Sequence, residues 1–264
     1  IYENNILVHE DAPTKQNCYG IYIYDELGVS IDVYRNKIFS TGDGTFQGDG
    51  IYCYSDGGIV KLYNNMIANF YRGAFIDATA LEIYSYYNSV HYCCQGIFSN
   101  STDILYKNTV ITSKLVGLDY ADFDTAHTDP ASDYNASIAS AAYAAPGANS
   151  LHGVVPADIY LSVVADNENL HIKNTAAVIY DAGIDLSADP NLPVADDYDG
   201  DARVRPDIGA DEFQGGATHT ATFTLDALVA ERKTNTFTLD AVIKATKTAT
   251  FTIDTIIQTA TDAS

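Results

Sequence analysis

Acidic side chains supply most of the chemistry this chain could do. Two long insertions, HEDAPTK and STGDGTFQGDG, carry Glu10, Asp11, Asp43 and Asp49, and a third run, DDYDGD, carries Asp197, Asp199 and Asp201. Carboxylates brought together from neighbouring loops hold calcium, or act in pairs as general acid and base. DDYDGD has a glycine at its sharp point, as oxygen-ligand calcium loops often do, but lacks the bidentate glutamate of EF-hand spacing. Plainer readings stand beside these. Asp-Gly is a turn dipeptide, so the insertions also read as solvated loops. Asp199 paired with Arg203 would make a structural knot at the end of the fold. The basic residues Lys15, Arg35, Lys37, Lys61, Arg72, Lys107 and Lys114 do not line up as a set. Calcium is the only cofactor these patterns raise.

The charge balance removes one class of partner. With 14 basic against 35 acidic side chains and a net charge of −21, the chain has nothing to neutralise a phosphate track, which excludes nucleic acid. Such a surface suits an extracellular or cell-surface setting. No run of about 18 apolar residues offers a membrane span. The chain opens inside a repeat rather than on Met, which reads as a mature or truncated product. Cys18, Cys53, Cys93 and Cys94 lack zinc spacing and are too few for a disulfide scaffold, so buried free thiols are expected. Adjacent Cys93 and Cys94 would point to opposite faces of an extended segment.

What must position these groups is a repeat. Tyr-x-Asn-x-(Ile/Val) occurs as YENNI, YRNKI, YNNMI, YYNSV and YKNTV, with Asn4, Asn36, Asn65, Asn88 and Asn108 at its centre. Apolar residues fall three before and two after each asparagine, so their parity changes and a bend must lie just before it. A second mark follows each copy, at Gly20, Gly50, Gly73, Gly96 and Gly117, opening stretches such as GIYIYD and GIYCYS. Units of three short strands at 20 to 32 residues predict an all-β, right-handed parallel β-helix over 1–216. Coils stacking at about 4.8 Å would let the asparagine amides bond to one another up the axis. Tyr134-Asn135 is a degenerate sixth mark within an irregular stretch, 119–168.

Tyr2, Tyr34, Tyr63, Tyr86 and Tyr106 sit on the opposite parity to the core aliphatics, so an outward aromatic ladder is expected. It could bind sugar or a subunit, or simply cover surface. Asn100 and Asn135 fit the N-glycosylation sequon.

The repeat over 1–120 resembles the pectate-lyase-like β-helix family. The segment from LHIKNTAAVIYDAG to DDYDGDARVRPDIGADEF is similar to the closing module of secreted bacterial and archaeal β-helix surface proteins, through Asp197, Asp199, Gly200, Arg203, Asp207, Ile208, Gly209, Ala210 and Glu212. The resemblance implies a C-terminal cap over about 169–216. It also raises polysaccharide lyase or hydrolase activity, although the family's Gly-His-Gly glycosidase signature is absent.

Beyond Gly216 the composition turns Thr-rich. Phe223, Phe237 and Phe251 mark three 14-residue copies of Thr-Phe-Thr-(Leu/Ile)-Asp over 217–264. The alternation reads as strands, each with one apolar face that needs a partner, and β-strand addition between subunits is one such use. The sequence therefore predicts a non-enzymatic structural or adhesive surface protein, a subunit of an extracellular filament or envelope assembly that self-associates through 217–264. A polysaccharide-degrading enzyme and a non-catalytic glycan-binding module are the rivals.

Overall fold

A computed structural model describes residues 1–8, 16–41, 47–77, 79–113, 121–139 and 143–214. Glu10, Asp11, Asp43, Gly117 and the three phenylalanine repeats lie outside them.

Three parallel sheets are built in rotation, the earlier turns of the chain adding one strand to each and the last turns extending the first sheet alone. The first holds seven strands: Asn5–Val8, Lys37–Ser40, Met66–Ala68, Ser89–His91, Val110–Thr112, Ala136–Ser137 and Leu151–His152. The second holds Gln16–Asp25, Gln47–Ser55, Arg72–Asp77, Gln95–Ser99 and Ala121–Phe123. The third holds Ile31–Tyr34, Ile59–Tyr63, Glu82–Tyr86 and Ile104–Lys107. This is the stacked parallel arrangement of a β-solenoid. Its interior is a single column of aliphatics, including Val33, Ile38, Ile51, Leu62, Ile67, Ile76, Val90, Ile97 and Ile111.

The bend before each asparagine is a left-handed residue. Glu3, Arg35, Asn64, Tyr87, Asn108 and Tyr134 all have φ between 50° and 57°. Such a conformation costs a non-glycine residue energy, and the next position repays it. Asn4 donates from its amide to Asn36 Oδ1 at 2.9 Å, Asn36 to Asn65 at 3.0 Å, and Asn65 to Asn88 at 3.0 Å. Each amide oxygen also accepts the backbone N–H of the asparagine on the preceding coil. Buried polar groups are thus satisfied by one another.

Asn108 is not a rung of this ladder. Ser89 pairs with Val110 and Tyr86 with Lys107, so Thr109 stands opposite Asn88 and Asn108 takes the left-handed corner. Thr109 N donates to Asn135 Oδ1 at 3.0 Å, and Asn135 N donates to Ser150 Oγ at 2.9 Å, continuing the column through the sixth mark. The one-residue shift also turns Tyr106 around, because neighbouring strand positions face opposite ways. Tyr106 lies fully buried inside the solenoid, donating to Ile97 O at 2.5 Å and packing edge-on to Phe123. It is no member of an outward ladder.

Gly20, Gly50, Gly73 and Gly96 stack as expected, but Asp122, not glycine, stands in the fifth place, since Ala121 and Phe123 pair with Gln95 and Ile97. The coils approach closely here: a Cβ on Gly50 would lie 2.6 Å from Gly73 O.

The outer face of the first sheet is covered from Phe39 to Ala136, while Leu7 on its first strand is 55% exposed. The outward residues Phe39, Met66, Ala68, Val110 and Ala136 form a second core with Val154, Ile159, Tyr160, Leu170, Ile172, Ile179, Ile208 and Ala210. These come from a four-residue helix, Pro156–Ile159, an antiparallel pair, Tyr160–Ser162 with Asn169–Ile172, and the irregular segment that follows. The expected terminal cap is therefore, in its contacts, a strap along the flank.

Candidate functional site

The strap grips the row of left-handed corners. Arg35 bonds through Nε to Asp197 O at 3.0 Å and pairs with the Asp196 carboxylate. Asn64 donates to Asp196 O at 2.9 Å and Tyr87 to Ile184 O at 2.7 Å. Asn108 both donates to Ile184 O and accepts from Ile184 N. A left-handed residue turns its side chain off the sheet edges, so four successive corners present one docking line.

At the centre lies Arg203, its side chain 1% exposed. The knot expected between Asp199 and Arg203 is made instead with Glu212, at 3.3 Å from Nη1. Nη2 adds Asn64 Oδ1, Gly209 O and Ala210 O, and the guanidinium sits 3.9 Å from the Tyr87 ring centre. Asp197 accepts from Asp201 N and Glu212 N, and Asp207 from Asp181 N and Phe213 N. Burial pushes Asp197 up to about 6 and Asp207 up to about 7, the backbone donors opposing it. Burial lowers Arg203, against the pull of Tyr87 and Glu212.

Of the three calcium candidates, only Asp199 belongs to a group of metal-ligating side chains within reach of one another among the described residues. Both oxygens of Asp197 serve backbone N–H groups. Among the described residues, the one group of at least three metal-ligating side chains is His171, Asp199 and Asp211, its donor atoms all within 4.8 Å of one another. Neither His171 nor Asp211 stood out in the sequence, because 40 residues separate them.

Two aromatic rows face outward. Tyr2, Tyr34 and Tyr63 stack at 5.0 and 4.7 Å, as the parity argument requires. Tyr86 continues that position but is fully buried, since Leu186, Leu192 and Val194 cover it. The second row arises from the alternation in GIYIYD and GIYCYS: Tyr22 stacks on Tyr52 at 5.1 Å and Tyr24 on Tyr54 at 4.6 Å. Tyr19 tilts against both Tyr22 and Tyr52. Tyr22 and Tyr24 are 55% and 56% exposed. The sequence held this signal, period-2 tyrosines after a glycine, and the repeat centred on asparagine drew attention from it.

Asp49, an acidic-loop candidate, lies on a strand beside this row. It is buried in a two-bond pair with Arg72, at 2.5 and 2.9 Å, with Arg72 stacked 3.6 Å over Phe75. Burial raises its carboxyl, and Arg72 opposes the shift. Round the corner, a cleft of about 650 Å³ is lined by Glu82, Tyr84, Thr102, Asp103, Asp129 and Asn191 among others. Tyr84 donates to Glu82 at 2.5 Å, and burial together with that bond raises its hydroxyl to about 12.

The chain matches no family model, no curated protein and no solved structure. Its chemistry rests on its own residues.

Cys53 and Cys93 are buried and Cys18 and Cys94 half-buried, with no disulfide among them; Cys93 and Cys94 differ in burial, but they lie in a bend after the left-handed Tyr92 rather than in an extended segment. Asn100 is exposed on a turn, whereas Asn135 is a fully buried ladder rung whose amide donates to Tyr106 O and Pro146 O. The folded chain offers only the first of the two to a glycosylating enzyme.

Proposed function

We propose that this protein is an extracellular structural and adhesive solenoid, a right-handed β-helix of the pectate-lyase-like kind, that contacts polysaccharide through its second-sheet tyrosines without cleaving it. The observation that carries this is the exposed pairing of Tyr22 with Tyr52 and Tyr24 with Tyr54. Stacked rungs present ring edges and hydroxyls along the row, and the outer faces of Tyr22 and Tyr24 at its first coil. Such a row combines apolar contact with hydroxyl hydrogen bonding, the two interactions a sugar ring accepts. The Thr-rich repeats over 217–264 would then serve to join copies. The test is affinity electrophoresis against a panel of acidic and neutral polysaccharides. Replacing Tyr22 and Tyr24 by Ala should weaken retention about tenfold. Equal retention by wild type and variant would refute the assignment.

A hydrolase remains as a second reading because one observation favours it, the three carboxylates Glu82, Asp103 and Asp129 in a single cleft. Release of reducing ends from a polysaccharide, abolished by Glu82→Gln, would replace the adhesive reading with this one.

A further inference from the structure

We propose that His171, Asp199 and Asp211 form a binding site for a divalent transition metal of the zinc type. The three residues reach one point from separate parts of the strap: His171 from the strand Asn169–Ile172, Asp199 from the DDYDGD turn, and Asp211 from the segment beyond Arg203.

The geometry exceeds what a salt bridge needs. His171 Nδ1 lies 3.0 Å from Asp211 Oδ1 and 3.6 Å from Asp199 Oδ2. One N–H satisfies one acceptor, and Asp211 takes it; the longer separation is outside hydrogen-bond range. Two carboxylates nevertheless converge on the same nitrogen. Metal–ligand bonds of about 2.0–2.1 Å place adjacent donors roughly 3.0–3.4 Å apart, so small adjustments of these three side chains would close the triangle round an ion. The metal takes the place of the Nδ1 proton, which a protonated imidazole releases to solvent and a neutral one carries on Nε2 instead.

The surroundings fit a ligand set. The second oxygen of Asp211 accepts Ile172 N–H at 2.7 Å, which fixes the carboxylate as outer-sphere partners of metal ligands do. Tyr198 packs edge-on against the imidazole, 5.9 Å between centres, and holds the ring plane. Asp197 adds negative field close to Asp211, while Lys37 is the cation that opposes it at His171. An imidazole with two carboxylates is a nitrogen–oxygen set, suited to zinc, manganese or iron(II). Calcium asks for six to eight oxygens at about 2.3–2.6 Å. Three protein ligands leave at least one position for water. A bound ion would tie the hairpin, the acidic turn and the segment after Arg203 together.

The experiment uses the full 264-residue chain, free of any tag, stripped with chelator and titrated with Co²⁺ and Zn²⁺. Visible absorption of bound Co²⁺ at one equivalent, displaced by Zn²⁺, is expected, with affinity falling roughly 10–100-fold or more in Asp199→Asn and in His171→Gln. Zinc about a hundredfold above its Kd should raise Tm by roughly 5–10 °C. Asp199 lies on the half-exposed side of the cluster, so its variant keeps the test valid if His171→Gln fails to fold. The proposal is overturned by absence of Co²⁺ and Zn²⁺ binding, by binding that survives both substitutions, or by Ca²⁺ binding where Zn²⁺ does not.

Discussion

The side-chain amide of Asn108 forms a closed pair of hydrogen bonds with the backbone of Ile184, donating to its carbonyl at 2.6 Å and accepting from its N–H at 2.9 Å. One side chain thus does for the strap what a strand neighbour would do. Asn108 O accepts a further bond, from Gly209 N at 2.8 Å. Replacing Asn108 by Ala strands the N–H of Ile184, whose carbonyl keeps its bond from Tyr87, and should cost about 1–2 kcal/mol. Hydrogen exchange is the sharper measurement. Amides 184 and 209 should lose protection in the variant, while those of Ile38 and Ile67 keep theirs.

The ladder makes a contrasting prediction. Asn65 donates to Asn88 and to Val33 O and accepts from Asn36. Asn65→Ala should cost about 2–4 kcal/mol, since it orphans partners on both sides. Asn65→Asp should be worse, because its added negative charge is buried facing the Asn88 and Val33 oxygens. Denaturant midpoints for the two variants would rank them, and a milder aspartate would contradict the donor role of this amide.

Arg203 tests the knot. Its guanidinium reaches Glu212, Asn64, the carbonyls of Gly209 and Ala210, and the face of Tyr87. Lysine keeps the charge but not the planar fork, so Arg203→Lys should lose roughly 3 kcal/mol or more. Susceptibility to limited proteolysis within 184–212 should rise with it. A near-neutral lysine variant would mean that packing, not the fork, holds the strap.

Stability should fall as pH climbs from about 4 to 7. Asp207 at about 7 and Asp197 at about 6 hold protons in the fold that an unfolded carboxylate, near 3.9, has already released. The folded state binds more protons in that window, so raising pH favours unfolding. His171, raised by its carboxylates, acts in the same direction, while buried His91, lowered to about 4, acts oppositely between about 4 and 6.5. Asp207→Asn should therefore flatten the decline in Tm between pH 5 and 7 relative to wild type. An unchanged slope would remove Asp207 from the account.

Expression in a glycosylating host should separate the two sequons. Peptide mass spectrometry should find glycan on Asn100 and none on Asn135 of the folded protein, since Asn135 is enclosed between coils.

Much of the solenoid was legible because one polar residue type recurs where a buried bend needs it. Asn4, Asn36, Asn65 and Asn88 announce the register, and the parity change announces the corner. YKNTV misled for a reason visible in strand pairing: it has the same letters, but Ile104 to Lys107 pair with Ile83 to Tyr86, one step away from that alignment. A sequence pattern records residue types, and register is settled by which residues stack. The strap was less legible. Its contacts with Arg35 and Asn64 span 162 and 132 residues, beyond any local periodicity. A trace existed in MIA at 66–68, apolar on both parities, which marks a strand covered on both faces. The His171 cluster left no such trace, because its members share no spacing.

The strap also sets an order of events in synthesis. Neighbouring coils can pair as soon as each emerges, since their contacts are local along the chain. Phe39, Met66, Ala68 and Tyr86 wait much longer, until residues 154–210 have left the ribosome. During that interval a folded but uncovered sheet shows apolar surface to the cell. A chain stopped short of Val154 would keep that surface for good, and its fate would be clumping or degradation rather than a smaller working solenoid.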